Sequence, residues 1–233
     1  MRQTLFETPL FGVVVTLAAY VGASALRSAF RPLRALPALP FATALVIALL
    51  QGFSIPYESY RLGGDGVQFF LGPVTVMLAL PLYHQRALLA RHRWPLLIGA
   101  ACGALTAVVS VLLLSRLCGL DPVLARPLLV KSVSIPFGLE ISRHLGGDPG
   151  LAVLGITLTG ILGVSIAPWL CGLFRVKDPV AQGAAIGACS HALGTARALE
   201  MGEMQGATSG VALCLTGIFT VFIAAALRLL GWL

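Results

Sequence analysis

Long stretches without any charged residue decide what this chain can fold into. Six such stretches run through its 233 residues, and they cover 8–26, 35–57, 66–85, 94–115, 149–174 and 204–227. Each is about as long as the roughly 20 apolar residues that cross a bilayer as a helix. In water these segments would expose a large apolar surface, whereas helices satisfy their backbone polar groups inside a bilayer. The sequence therefore predicts an all-α polytopic membrane protein with about six full spans.

Charge, cysteine content and motifs exclude several other classes of protein. Only 11% of the residues are charged, against about 25% in soluble domains. The net charge of +7 comes from basic residues in short gaps between the apolar stretches, which favours membrane orientation over nucleic-acid binding. The five cysteines show no CxxC spacing and are interpreted as small buried residues rather than metal ligands. No phosphate-binding loop, HExxH or GxSxG motif is present, so we expect neither an enzyme nor a cofactor.

The charged gaps predict how the chain is oriented. Residues 27–34 and 86–93 each carry three arginines and no acid, whereas residues 58–65 carry one arginine and two acids. Cytoplasmic loops are enriched in Lys and Arg, so residues 27–34 and 86–93 are predicted inside and residues 58–65 outside, with the N-terminus outside. Arg175 and Lys177 place the end of the fifth stretch inside as well. This orientation requires residues 116–148 to begin and end outside.

Two segments fit neither a plain span nor a plain loop. Residues 116–148 combine four basic and three acidic residues with an apolar stretch at 132–139, and residues 178–203 are apolar, rich in glycine and charged at their end. A charge in the middle of a lipid-facing helix costs about 2.5 to 3.5 kcal/mol even on lenient scales. Broken helices that enter the membrane and return, shielded by protein, satisfy both constraints. The sequence predicts two such re-entrant elements.

The two broken elements align as an internal repeat. The tetrapeptide LTGI occurs at 158–161 and again at 215–218, and a one-residue gap places Gly138 on Gly194 and Gly146 on Gly202. One copy enters from outside and the other from inside, which makes an inverted repeat. Inverted repeats with interrupted helices are typical of secondary transporters, and helix N-termini suit an anionic substrate.

Polar residues at the two breaks are the candidate binding site. Lys131 could neutralise a carboxylate or could be a lysine that snorkels to the membrane edge. Pro136 could break the helix or could belong to an ordinary turn. His191 could carry a coupled proton, or it could make a helix-packing hydrogen bond. The full candidate set is Lys131, Ser132, Ser134, Pro136, Ser190, His191, Gly194, Thr195 and Arg197 for substrate, and His191, Glu200 and Glu203 for a coupled proton or Na⁺.

The halves of the chain are predicted to differ in role within a single membrane domain, 1–233. Residues 1–115 carry fewer internal charges and a GxxxG spacing at Gly99 and Gly103, a spacing that lets membrane helices pack closely. This half is predicted to be the scaffold and to contribute a homodimer contact. Residues 116–233 form the predicted core, with repeat units at about 131–175 and 187–232.

Three runs of sequence resemble a known family. These are KSVSIPFGLEISRHLGG at 131–147, TGILG at 159–163 and GACSHALGTARALEMGEMQGATSG at 187–210. They are similar to stretches of the LrgB/CidB family, and LGPVTVMLALPLY at 71–83 resembles an earlier marker of that family. Family members more often carry threonine before the proline of VSIPFG. The resemblance covers most of the chain and implies a multi-pass protein of the bacterial inner membrane.

The resemblance implies two competing functions. Bacterial members are described as antiholin-like regulators of murein hydrolase export and autolysis that work with a small LrgA/CidA-type membrane partner. Relatives such as the plastid glycolate/glycerate translocator carry small carboxylates, and bacterial pairs are linked to pyruvate. The broken helices favour a transporter of small monocarboxylates such as pyruvate, lactate, glycolate or glycerate, with Lys131 or Arg197 supplying positive charge. A regulatory scaffold that moves no solute is a third hypothesis.

Overall fold

The computed structural model describes residues 8–30, 38–70, 73, 76, 77, 79–84 and 86–231. These residues form helices joined by turns, without strands. The chain divides into two compact units, residues 1–74 and 75–233. The described helices are α1 Pro9–Ala29, α2 Ala38–Gly52, α3 Tyr57–Gln68, α4 Ala79–His84, α5 Arg86–Arg91, α6 Arg93–Leu117, α7 Pro122–Leu128, α8 Ile135–His144, α9 Pro149–Leu173, α10 Pro179–Met201 and α11 Glu203–Leu229.

The first unit is built around a close crossing of α1 and α3. Gly12 on α1 and Gly63 on α3 face each other so closely that a β-carbon on Gly12 would lie 2.9 Å from the Cα of Gly63. Small residues allow this approach of two membrane helices. The hydroxyls of Thr16 and Tyr60 lie 2.9 Å apart and form a hydrogen bond beside the crossing.

Asp-Pro pairs begin three helices of the second unit. Asp121, Asp148 and Asp178 precede α7, α9 and α10, and each carboxylate accepts a hydrogen bond from a backbone N–H of the first turn, at 2.8 to 2.9 Å. An aspartate cap satisfies an otherwise unpaired N–H, and the proline has a φ angle already suited to a first helical position. The sequence therefore specifies where these helices start.

Helices α7 and α8 form a first hairpin, residues 122–144. The helices are separated by a turn at 129–134, and the chain after α8 returns to α7. A β-carbon on Gly147 would lie 3.1 Å from the Cδ of Pro127, whereas twenty residues of straight helix would separate these positions by about 30 Å. Ile156 of α9 packs against Gly138 of α8. The hairpin therefore folds along the first half of α9.

Helix α10 is a second hairpin, residues 179–201. It turns at His191, whose backbone is non-helical with φ 43° and ψ −140°. A β-carbon on Gly194 would lie 3.0 Å from the carbonyl oxygen of Ile186, although eight residues of straight helix span about 12 Å. The predicted interruption of this segment is confirmed, because its two halves pack against each other.

Both halves of the second hairpin pack on the same part of α11. Gly187 of the first half faces the backbone of Ser209, and Thr195 of the second half hydrogen-bonds the Ser209 hydroxyl at 2.9 Å. Gly183 faces Gln205, and Leu199 faces Gly206. The first half therefore runs parallel to α11 and the second half antiparallel to it, as a hairpin requires.

Four of the six predicted spans are confirmed as helices long and apolar enough to cross a membrane: α1, α6, α9 and α11. The stretch at 35–57 contains the shorter helix α2, and six residues of the stretch at 66–85 lie outside the described residues. The count of six spans stays a prediction. Helix α6, which the sequence assigns to the scaffold half, packs within the second unit against the hairpins and α11. The boundary between the compact units falls at 74/75.

Candidate functional site

The turn of the second hairpin is fixed by the side chain of His191. Its Nε2 lies 2.8 Å from the carbonyl oxygen of Ile156 in α9, and the histidine is 4% exposed. A carbonyl only accepts hydrogen bonds, so Nε2 carries the proton and Nδ1 is the nitrogen that can accept another. A positive φ is rare outside glycine and is found at constrained functional positions. The buried hydrogen bond holds the strained turn against α9.

Gly160 makes room for this contact. A β-carbon on Gly160 would lie 2.6 Å from Cε1 and 2.9 Å from Nε2 of the His191 ring. The His191 ring lies directly against the backbone of Gly160, which has no side chain, and so reaches the carbonyl of Ile156. Any larger residue would displace the imidazole from its acceptor.

Ser190, next to the turn, presents a hydroxyl without a partner. Its Oγ is fully buried and has no hydrogen-bond partner among the described residues. Gly163 of α9 stands directly against this hydroxyl, so that a β-carbon there would overlap it. A buried hydroxyl without a hydrogen bond is costly.

Lys131 lies in the turn of the first hairpin and shares a cavity with Ser190. Its amine donates to the Ser132 hydroxyl at 3.3 Å. The cavity measures about 480 Å³ and is bounded by α9, by the first half of the second hairpin and by Lys131. Thr159 and Cys189 also line it. The structure therefore brings one candidate residue from each broken element to one site.

The turn of the first hairpin leaves a second hydroxyl unsatisfied. Ser134 precedes α8, is 5% exposed, and its Oγ has no partner within the described part of the chain. Pro136 occupies the first turn of α8, where its lack of an N–H is tolerated. The ring of Phe137 lies against Gly217 of α11, at 3.0 Å from a β-carbon placed there. The sequence predicts a break at Ser134 and Pro136; in the structure the turn ends at Ser134, and Pro136 lies within the helix that follows.

Thr195 takes part in a chain of hydrogen bonds on the other side of the turn. Its hydroxyl donates to the His191 carbonyl at 3.0 Å and therefore accepts from Ser209, whose hydroxyl lies 2.9 Å away. Thr195 and Glu203 line a further cavity of about 470 Å³ between the second hairpin and α11. Gly194 packs against Ile186 rather than facing either cavity.

Arg197 and Glu200 lie away from the turns. The Arg197 guanidinium donates to the Glu200 carboxylate at 2.6 Å, and both side chains are substantially exposed. An exposed pair of this kind contributes little to stability. Between the two candidate sources of positive charge, only Lys131 lines the cavity that contains Ser190.

Several residues at the site were not identified from the sequence. They are Ile156, Thr159, Gly160, Gly163, Cys189 and Ser209. A signal for two of them was present, because Thr159 and Gly160 belong to the first LTGI, whose glycine corresponds to Gly217 of the second. Among the described residues, no group of three or more His, Cys, Asp or Glu could hold a metal ion.

Comparison with known proteins identifies relatives over nearly the whole chain. Residues 16–230 match the LrgB-like family. A Bacillus subtilis (strain 168) protein, the uncharacterized protein YxaC, is 35% identical over 210 residues, which are 90% of this chain and 91% of that protein. The antiholin-like protein LrgB of Bacillus mycoides (strain KBAB4) and that of Bacillus cereus (strain B4264) are each 32% identical over 216 residues, covering 93% of this chain and 94% of theirs. No solved structure shows a significant match.

Proposed function

The chain belongs to the LrgB-like family, and we propose that it is a secondary transporter of small monocarboxylates such as pyruvate, lactate, glycolate or glycerate. The observation that carries this proposal is the shared cavity, in which Lys131 of one broken element and the unpartnered Ser190 of the other line one space. An amine and a hydroxyl offer a carboxylate a charge-assisted and a neutral hydrogen bond.

An internal repeat with an offset of 57 residues supports the proposal. The offset relates Asp121 to Asp178 at the hairpin starts, Ser134 to His191 at the turns, and the two LTGI runs. Unlike the alignment drawn from sequence alone, this one needs no gap. The contacts are reciprocal as well, since the second turn meets Gly160 of α9 and the first turn region meets Gly217 of α11.

The arrangement of the repeat supports opposite orientations for its two copies. Each hairpin returns toward its starting point, and one long helix, α9, lies between the two hairpins. If each hairpin re-enters and α9 crosses the membrane once, the second hairpin starts from the side opposite the first. Both turns meet the long helices near their middles, at Ile156 to Gly163 and at Gly217. Broken helices that meet at the midplane are a common transporter plan.

Helix dipoles favour an anion near the two turns. The second half of each hairpin starts at the turn, with Ile135 in the first hairpin and after His191 in the second. The N-terminus of a helix carries partial positive charge and N–H groups that lack helical acceptors. Together with Lys131, these ends attract a carboxylate.

Coupling to a proton or Na⁺ is assigned to the second hairpin and to Glu203, the first residue of α11. Because Nε2 of His191 donates to Ile156, a proton taken from the substrate path would bind to Nδ1. Glu203 lines the neighbouring cavity together with Thr195 and is the second candidate. Glu200 is paired with Arg197 at an exposed position, which makes it the weakest of the three.

The antiholin-like function is a second candidate, and the names of the relatives favour it. Proteins 32% identical over 94% of their length are called antiholin-like protein LrgB. On this proposal the chain regulates murein hydrolase export together with an LrgA/CidA-type partner. A homodimer through the face of Gly99, where an added β-carbon would meet no atom within 4 Å, is compatible with either function.

Uptake by purified protein distinguishes the candidates. Proteoliposomes containing only this protein would be given labelled pyruvate, lactate or glycolate, with a trapped dye to report leakage. The transport proposal expects saturable uptake of one acid without dye loss, and loss of that uptake in Lys131→Gln. Lys177→Gln, at an exposed position before α10, is the matched control and is expected to transport normally. Dye loss without selectivity, or no flux at all, would contradict the proposal and favour the second candidate.

A further inference from the structure

The cavity that contains Lys131 and Ser190 continues far beyond these two polar groups. Its polar end is formed by Lys131, Thr159 and Ser190, and Ile166 and Leu170 extend the wall along α9 away from the turn. Seven residues separate Gly163, which faces Ser190, from Leu170, so the apolar part is about 10 Å long. The volume of about 480 Å³ lies in the range of roughly 300–1,000 Å³ that encloses drug-sized ligands. A three-carbon acid would fill little of it.

The internal repeat supplies a comparison for this cavity. With the 57-residue offset, the counterparts of Ile166 and Ala167 are Ile223 and Ala224 of α11, and the counterpart of Ile186 is Leu129. In that copy the space is filled, because Val108 and Val111 of α6 pack into one core with Leu129, Val133 and Ala224. The apolar walls are thus common to both copies, and among the described residues of the second unit protein fills only one of them.

The two polar groups, Lys131 and Ser190, occur only in the copy along α9, which we call the open copy because no described residue fills its cavity. The counterpart of Ser190 is Val133, and the counterpart of Lys131 is Ala188, which contacts Gly103 of α6. Where a helix fills the space, the chain carries small or apolar residues at these positions. Along α9, in the space that no described residue fills, the chain carries the Lys131 amine, which donates to Ser132 at 3.3 Å, and the Ser190 hydroxyl, which has no partner among the described residues. The occupant of the open copy therefore combines an apolar body with an anionic head.

We infer that the cavity takes monocarboxylates with a hydrocarbon body, the carboxylate at Lys131 and Ser190 and the body along Ile166 and Leu170. This inference names the substrate class of the proposed transporter and therefore rests on the proposed function. Additional hydroxyls, as in glycerate, would be buried against apolar walls without hydrogen bonds, which is unfavourable. Each methylene buried along the wall strengthens binding by about fourfold.

Competition with a chain-length series tests the inference. Linear alkanesulfonates from methanesulfonate to hexanesulfonate remain ionised at every working pH, so they do not cross the bilayer unaided. They would be added to proteoliposomes that take up labelled pyruvate. We expect the half-inhibitory concentration to fall by about fourfold per methylene over several members of the series. Glycerate should compete less well than propane-sulfonate. Equal inhibition by every chain length would overturn the inference and leave transport standing.

Variants of the cavity wall test the chain-length preference in a second way. Ile166→Trp fills the apolar part, and we expect it to remove the advantage of hexanesulfonate while methanesulfonate competes as before. Ile218→Trp is the matched control, because Ile218 is exposed to the same degree on α11, 41% against 39%. Ile166→Ala keeps the cavity open and covers the case in which the tryptophan variant fails to fold. An unchanged chain-length preference in both Ile166 variants would contradict the inference.

Cysteine modification separates failure of this inference from failure of the proposed function. Cys189 lines the cavity, and Cys102 is an exposed cysteine on α6. N-ethylmaleimide modification of each would be followed by mass spectrometry in liposomes. Protection of Cys189 that increases with sulfonate length, with Cys102 unaffected, supports the inference even if pyruvate is not transported. No protection at any length would overturn it whether or not uptake occurs.

Discussion

Replacement of Gly160 by alanine tests the contact that fixes the second turn. A β-carbon there would lie 2.6 Å from Cε1 of His191 and 2.7 Å from a methyl group of Leu193, whereas ordinary contacts are 3.4 Å or longer. The ring cannot retreat without losing its 2.8 Å hydrogen bond to Ile156. Either the ring moves and the bond breaks, or α9 and the hairpin separate.

Three contributions determine how far Gly160→Ala lowers the free energy of unfolding. Overpacking of this kind costs about 1–3 kcal/mol, and an interhelical hydrogen bond in a membrane contributes about 0.6 kcal/mol. Alanine in a helix recovers about 0.8–1 kcal/mol relative to glycine. The net destabilisation is roughly 1–3 kcal/mol, which lowers the unfolding midpoint by roughly 2–12 °C in a protein of this size.

The assay is thermal unfolding of the purified protein in detergent, with pyruvate uptake measured in parallel. Gly172→Ala is the control on the same helix, because an added β-carbon at Gly172 meets no atom within 4 Å. We expect Gly172→Ala to be as stable as the parent or slightly more stable, and Gly160→Ala to unfold earlier and to lose uptake. Equal midpoints for the two alanine variants would refute the account of the turn.

Two further predictions concern the second hairpin. His191→Gly should keep the fold and lose uptake, because glycine adopts the positive φ freely but cannot bond Ile156. His191→Val should unfold earlier than His191→Gly by the cost of a strained backbone, about 1–3 kcal/mol; equal midpoints would show that the turn stores no strain. Asp178→Ala should lower the free energy of unfolding by about 0.5–2 kcal/mol because it removes the helix cap. Asp178→Asn should be nearly as stable as the parent. Circular dichroism melts check both, and an unaffected Asp178→Ala would show that the cap contributes nothing.

The overall plan followed from the sequence because it rests on simple physical constraints. Charge-free stretches of sufficient length predicted α1, α6, α9 and α11, and the Asp-Pro pairs mark helix starts wherever they occur. The interruption near residues 190–195 was predicted from glycines and polar residues in an apolar segment. These signals are local, so they can be recognised without knowledge of the tertiary contacts.

The details of the site depend on distant contacts and could not be read in the same way. Hydrogen bonding of His191 to Ile156 joins residues 35 positions apart, and the position of the turn at His191 depends on it. Arg197 and Glu200 were candidates for substrate and coupling-ion binding, but a local ion pair turns their side chains toward each other at an exposed position. Gly160 and Gly163 carry no chemistry of their own, and their role is to leave space for residues of another helix.

The most direct test of the central claim, two hairpins that enter the membrane from opposite sides, is side-specific labelling at the hairpin bases. Single cysteines at Leu120, Gly150, Lys177 and Met204 would be introduced into a chain without its five native cysteines and treated with an impermeant maleimide from one side at a time. The account predicts that positions 120 and 150 react from one side and positions 177 and 204 from the other. Reaction of 120 and 150 from opposite sides would show that the first hairpin crosses the membrane, and would contradict the inverted repeat.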